Sequence, residues 1–413
     1  MPFRYISRRA QVIRSFYSGI GKTAVIYPAT LLTSVSIGIL IFGTLFYLKA
    51  VFAASESLIG LNAALWSFSY IIGCLLLRPL SERIPPRYVL TGATFFMAVF
   101  VLGMLKAPWL WLVITCNCLV ALSMAHFWPL VMGWLSGDLA GGELSRVMSR
   151  FNLSWSTGTI ISPWLAGWLT EQGPTVPLYT AAGLLLLTAA MLFGAALTLP
   201  RLREEKTVTS EHLQKNAGTG RGTPLRFPAW VGIFAAFMIM GLTGYIFPPD
   251  AKDRLHLVES TIGLLLLARA VTSTAMFAFM GQTRFWHNRP TQMVAGTIGI
   301  AVFLFIMPAC TRPLTIAPAF AFFGILSAQA YFNSLFHGLE NCSNRAARSA
   351  LHEALLNGGI IAGALLGGVI SDHFSMNTAY RVFAGIIAVA AAVQIVLVLW
   401  LPNRRGPQVP CHE

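Results

Sequence analysis

Twelve uninterrupted apolar stretches, each about as long as a bilayer is thick, constrain this chain more tightly than any motif in it. A hydrocarbon core of about 30 Å takes roughly 20 residues of helix. The stretches run near 26–49, 58–77, 88–105, 109–133, 151–170 and 177–199, then near 228–248, 260–282, 291–309, 314–337, 350–371 and 379–401. Lipid cannot hydrogen-bond a backbone, so runs of this length must be helices; barrel strands would be about half as long and would alternate. Only 11 % of the 413 residues are charged. The expected fold class is an all-α integral membrane protein with twelve transmembrane helices.

A formal charge of +14 suggests a nucleic-acid partner until its placement is read. With both termini on the cytoplasmic side, the inner segments hold 22 of the 29 Lys and Arg residues. The outer loops hold Lys49, Lys106, Lys252, Arg254, Arg312 and Arg381, and Arg269 lies inside a span. That asymmetry follows the positive-inside rule and sets topology, with no nucleic acid implied. Short loops and basic linkers point to a cell membrane, the bacterial inner membrane first. At the N-terminus, Arg4, Arg8, Arg9 and Arg14 interleave with apolar residues, as in an interfacial amphipathic segment or a disordered basic arm. Cys116 and Cys118 project about 200° apart on a helix, a poor metal clamp, and Cys310 has no obvious outer partner for a disulfide. No metal and no cofactor are expected.

The polar stretch 201–226, with its Gly-rich run 216–222, reads as a linker between two halves. The expected organisation is an arm (1–25), a six-helix half (26–200), the linker (201–226), a second six-helix half (227–401) and a tail (402–413). The halves repeat at an offset of about 200 residues. Glu56-Ser57-Leu58-Ile59-Gly60-Leu61 corresponds to Glu259-Ser260-Thr261-Ile262-Gly263-Leu264. Gly158, Ile160, Ile161, Leu165 and Gly167 meet Gly358, Ile360, Ile361, Leu365 and Gly367, and Phe127-Trp128 meets Tyr331-Phe332.

Parallel six-helix repeats with both ends inside resemble the major facilitator superfamily, over the whole chain. Leu80, Glu82, Arg83 and Arg87 fall where that family's Gly-x-Leu-x-Asp-Arg-x-Gly-Arg-Arg loop has Leu, the acid, Arg and the last basic residue. Arg78, Pro85 and Pro86 depart from the pattern, so the tight turn must differ. The resemblance makes Glu82, Arg83 and Arg87 gate candidates; interfacial anchoring is the other reading. In the fifth stretch, Gly158, Pro163 and Gly167 follow the family's antiporter pattern, with Ser162 and Ala166 replacing two glycines. Packing of small residues about a proline bend accounts for the same residues.

Arg269 stands near the middle of the eighth stretch, where a cation costs about 2.5–3.5 kcal/mol on insertion scales. Either it grips a carboxylate or phosphate of the cargo, or it pairs internally. No acidic residue shares its depth along the chain. The resemblance implies that spans one, four, seven and ten line the cavity, which brings His126, Trp128, Tyr331 and Asn333 forward as substrate-binding candidates. Glu353 and His352 are the coupling candidates, because carboxyl and imidazole groups can exchange a proton. About 100° separates the two on a helix, so one at most points straight into a cavity. The first span has no acidic residue between Val25 and Leu48, which weighs against a cationic-drug exporter.

No phosphate-binding Gly-x-x-x-x-Gly-Lys-Ser/Thr loop is present, and His352-Glu353-Ala354-Leu355-Leu356 lacks the second histidine of a zinc-protease motif. An enzyme is not expected. The expected function is secondary transport of a small, anionic organic solute by alternating access, coupled to protons and carried out by a monomer in lipid. Lipophilic-drug efflux is the alternative. A transport-inactive receptor or assembly protein is the alternative from another class.

Overall fold

A computed structural model describes residues 23–76, 84–136, 141–198, 223–283, 286–287, 289–339 and 345–400, and among these every regular element is a helix. The first six spans are α1 (Thr23–Phe52), α2 (Glu56–Leu76), α3 (Pro86–Lys106), the pair α4 (Leu110–Met124) and α5 (Trp128–Ser136), α6 (Gly141–Glu171) and α7 (Val176–Thr198). The second six begin with α8 (Arg226–Gly241), which runs through a π-turn (Leu242–Ile246) into α9 (Phe247–Leu255). They continue as α10 (Glu259–Gln282), α11 (Pro290–Ile306), α12 (Pro313–Leu339), α13 (Arg345–His373) and α14 (Met376–Trp400).

Among the described residues, eleven spans are long and apolar enough to cross a membrane. The fifth, α6, has 31 residues but is too polar to join them by composition. Three of its hydroxyls are satisfied locally: Ser156 donates to Asn152 O (2.6 Å), Thr157 to Leu153 O (2.7 Å) and Thr159 to Ser156 O (2.8 Å). Returned to the helix's own carbonyls, these groups no longer demand water.

Prolines explain the two interrupted spans. Pro129 lacks the N–H that would reach Ala125 O, and the fourth span breaks into a turn at residues 125–127. Pro248 and Pro249 open α9, and just before them the helix slips register, with Phe247 N–H reaching back to Leu242 O. Such π-turns are commonly found at functional sites.

The chain divides into two compact units, Met1–Phe52 with Phe68–His212, and Ala53–Ser67 with Leu213–Glu413. In the first, α1 carries a buried polar stripe of Thr30, Thr33, Ser34 and Ser36. Ser34 Oγ donates to Trp155 O (2.7 Å), Thr30 Oγ1 and Ser154 Oγ are 2.8 Å apart, and Ser154 Oγ donates to Tyr27 O (2.5 Å). Gly158 allows this approach, since a Cβ there would lie 2.7 Å from Ser34 Cβ. Gly38 faces Ser162 in the same way. The adjoining core gathers Ile26, Ala29, Leu90, Phe127, Val131 and Phe151.

In the second unit, α13 lies against α8 with almost nothing between the backbones. A Cβ on Gly359 would sit 2.6 Å from Phe234 O, one on Gly241 2.5 Å from Ile360 O, and one on Gly363 would strike Met238 O. Small residues permit such contact where no hydrophobic effect drives helices together. The first half of α2 also packs here. Asp372 accepts the N–H groups of Glu56 (2.9 Å) and Ser57 (2.7 Å), capping the α2 N-terminus from another helix.

Each unit reproduces the repeat seen in the sequence. Gly158 packs on Ser34, and Gly358 packs on Phe234 at the same offset of 200 positions. Ala53 (φ 48°), three residues before Glu56, and His256 (φ 54°), three before Glu259, are the non-glycine residues with positive φ among the described residues.

Candidate functional site

Arg269 lies ten residues into α10, and Tyr245 lies ten residues before the end of α9, each about 15 Å from the connecting loop. The two are within electrostatic reach of each other. Two hydrogen bonds hold this stretch of α10 against α12: Thr272 Oγ1 donates to Ala321 O (2.8 Å) and Ser273 Oγ to Gly324 O (2.9 Å). Gly324 has no room for a Cβ beside the Arg269 carbonyl. The guanidinium therefore springs from a fixed backbone. Its Nε is wholly buried, and no hydrogen bond or ion pair joins the Arg269 side chain to any other described residue.

Eight residues along α10, about 12 Å away, Phe277 starts an aromatic cluster. Its ring centroid lies 5.3 Å from that of Tyr331 on α12, and Tyr331 in turn lies 6.2 Å from Phe237 on α8 and 4.8 Å from His352 on α13. His352 is buried and bonds Ser334 Oγ through Nδ1 at 2.9 Å, so it ties α13 to α12. Glu353, beside it in sequence, is exposed and lies within electrostatic reach of Tyr331. The second unit thus presents a cation at mid-span that is unpaired among the described residues and, two helical turns away, aromatic faces beside a carboxylate.

Other sequence candidates lie elsewhere. Asn333 is 1 % exposed and sits about 200° around α12 from Tyr331, away from the aromatic cluster. In the first unit, His126 occupies the half-buried turn that breaks the fourth span, and Trp128 packs on Phe127 (5.1 Å) and Phe151 (6.4 Å) at the edge of the core. Gly158 belongs to the face of α6 packed on α1, Pro163 lies half-buried inside that helix, and Gly167 is buried. Arg87 lies in the first turn of α3 over the Tyr88 ring, 4.8 Å from its centroid. Glu82 and Arg83 lie outside the described residues.

Phe237 and Phe277 escaped selection as site residues by sequence. Their only signal is aromatic character on the seventh and eighth spans, which lipid-facing and packing residues share. The π-turn that carries Tyr245 left no pattern beyond the two prolines that follow it.

A sequence model of the Major Facilitator Superfamily matches residues 26–336 and, again, residues 229–411. No curated protein matches the sequence significantly. Among solved structures, one of the nucleoside transporter NupG superposes with a TM-score of 0.69 at 14 % identity, covering 92 % of this chain and 99 % of that one. A point mutant of the same transporter gives 0.71 at 12 % identity, covering 91 % and 100 %. At these identities the likeness is one of fold.

Proposed function

This chain belongs to the Major Facilitator Superfamily, and on that footing we propose that it is a secondary transporter of a small organic anion, working by alternating access with Arg269 as the anchor. The observation that carries this reading is the buried Nε of Arg269, unpartnered among the described residues. A cation held at mid-membrane with no internal counter-ion is costly by itself. A carboxylate or phosphate accepted bidentately removes that cost, so binding and neutralisation become one event.

Glu353 is the proposed proton carrier and His352 its support, since His352 is committed to Ser334 while Glu353 stays accessible. Arg87, with Glu82 and Arg83, is proposed for the gate. The distribution of Lys and Arg supports placing both termini in the cytoplasm, and the short basic loops support the bacterial inner membrane. The aromatic faces of Phe237, Phe277 and Tyr331 favour a second reading, in which the cargo carries a ring, as a nucleoside does or a lipophilic drug can.

Thermal stabilisation of the purified protein by phosphorylated, carboxylated, neutral and cationic solutes tests the anchor. The anion reading expects stabilisation by one class of anion in wild type, weakened about 100-fold or more in apparent affinity by Arg269→Gln. Equal stabilisation of both proteins by neutral ring compounds would replace the anion with the ring. For coupling, Glu353→Gln in proteoliposomes should abolish uptake driven by a pH gradient while leaving solute exchange intact; undiminished pH-driven uptake removes Glu353 from the mechanism.

A further inference from the structure

Behind α12, on the face turned away from Tyr331, a small cavity lies within the second unit among α8, α11, α12 and α14. Leu326, Gln329, Ala330 and Asn333 face it from α12, spaced three, one and three residues apart as one stripe of a helix. Gly232 and Gly296 keep it open: a Cβ on Gly232 would lie 2.8 Å from Gln394 Nε2, and one on Gly296 3.1 Å from Gln329 Oε1.

The polar atoms around it do not balance among themselves. Gln394 is fully buried and donates Nε2 to Pro228 O (2.7 Å), while its Oε1 has no partner among the described residues. Gln329 likewise gives Nε2 to Gln292 O (2.8 Å), and Thr297 gives its hydroxyl to Met293 O (3.3 Å). Asn333 leaves both Oδ1 and Nδ2 unsatisfied among the described residues, at 1 % exposure. Buried polar groups in proteins almost always find partners, and the exceptions need a physical account.

We propose that this cavity is a built hydration site, holding a single water that accepts from Asn333 Nδ2 and donates to Gln394 Oε1, with Gln329 Oε1 or Thr297 Oγ1 in reach of its second hydrogen. The space suits about one water molecule and no organic solute. A metal cation fits the lining worse. Such an ion would want several oxygens and a counter-charge, yet the lining holds no carboxylate, and Asn333 Nδ2 would still lack an acceptor. The water makes Asn333 a hub between α12 and α14, separate from the transport site.

Radiolytic footprinting of the purified full-length protein in oxygen-18 water tests the proposal, because radicals born from a bound water label the side chains next to it. Met293 lines the cavity at 5 % exposure, and Met97, at 0 %, lies away from it and serves as the dry control. Label on Met293 with none on Met97, lost in Asn333→Leu, supports a bound water. Absence of label on Met293, or label that persists unchanged in Asn333→Leu, overturns it. Thermal denaturation gives an independent reading. In a wet site Asn333→Leu strands Gln394 Oε1 and lowers the Tm, whereas in a dry one it removes two orphaned polar atoms and raises the Tm, which would also overturn the proposal.

Discussion

The seam between α1 and α6 and the seam between α8 and α13 occupy equivalent places in the repeat but are held by different chemistry. The first joins hydroxyl to carbonyl, with Ser34 on Trp155 O and Ser154 on Tyr27 O. In the second, Gly241, Gly359 and Gly363 bring backbone onto backbone. Side-chain hydrogen bonds hold two helices at a fixed spacing and can be lost one at a time. Glycine contact leaves no slack, so any added atom forces whole helices apart. The same contrast runs through the interiors: α1 has buried hydroxyls and no charge at mid-span, whereas the second unit holds Arg269 and Glu353. A duplicated scaffold has kept its geometry while one copy has taken on the ionisable groups.

Substitutions can break that contrast. The largest effect should come from Gly363→Ala, whose Cβ would strike Met238 O; a loss of about 2–3 kcal/mol is expected from overpacking, read as a fall in the Tm of the purified protein. A Gly363→Ala protein as stable as wild type would mean that the seam is looser than its geometry. Gly158→Ala should cost less, about 1 kcal/mol, because its nearest contacts, Ser34 Cβ at 2.7 Å and Val35 N at 3.0 Å, leave more room than Met238 O leaves at Gly363. Equal losses at the two positions would erase the distinction between the seams. Ser34→Ala removes one interhelical hydrogen bond and should cost about 0.6 kcal/mol. The smallest expected change has the opposite sign: Ala53→Gly relieves a left-handed residue and should stabilise by about 0.5 kcal/mol. No gain there would place the strain elsewhere in the turn.

Arg269 and its surroundings were unequally visible in the sequence. Arg269 stood out because a cation inside an apolar run has few explanations. Phe277 and Phe237 did not, because they resemble the many aromatics that face lipid or fill gaps. His352 and Glu353 were marked as a pair that could not share one direction. Asn333 was a cavity candidate on span number alone, and only its angle around α12 turned it toward Gln394 and away from Tyr331.

Hydropathy along the chain determined the class and every span but the fifth among the described residues, because in a bilayer the backbone must bond to itself and leaves length and apolarity as the only choices; matching residues about 200 positions apart showed the twofold repeat. Even the left-handed turns before Glu56 and Glu259 sit at matching places in that repeat. Which face of each helix meets which neighbour is not written in hydropathy, since lipid and protein interior are equally apolar. Packing alone decided that: where two glycines let backbones touch, where a proline broke a span, and which polar atoms were left looking at one another.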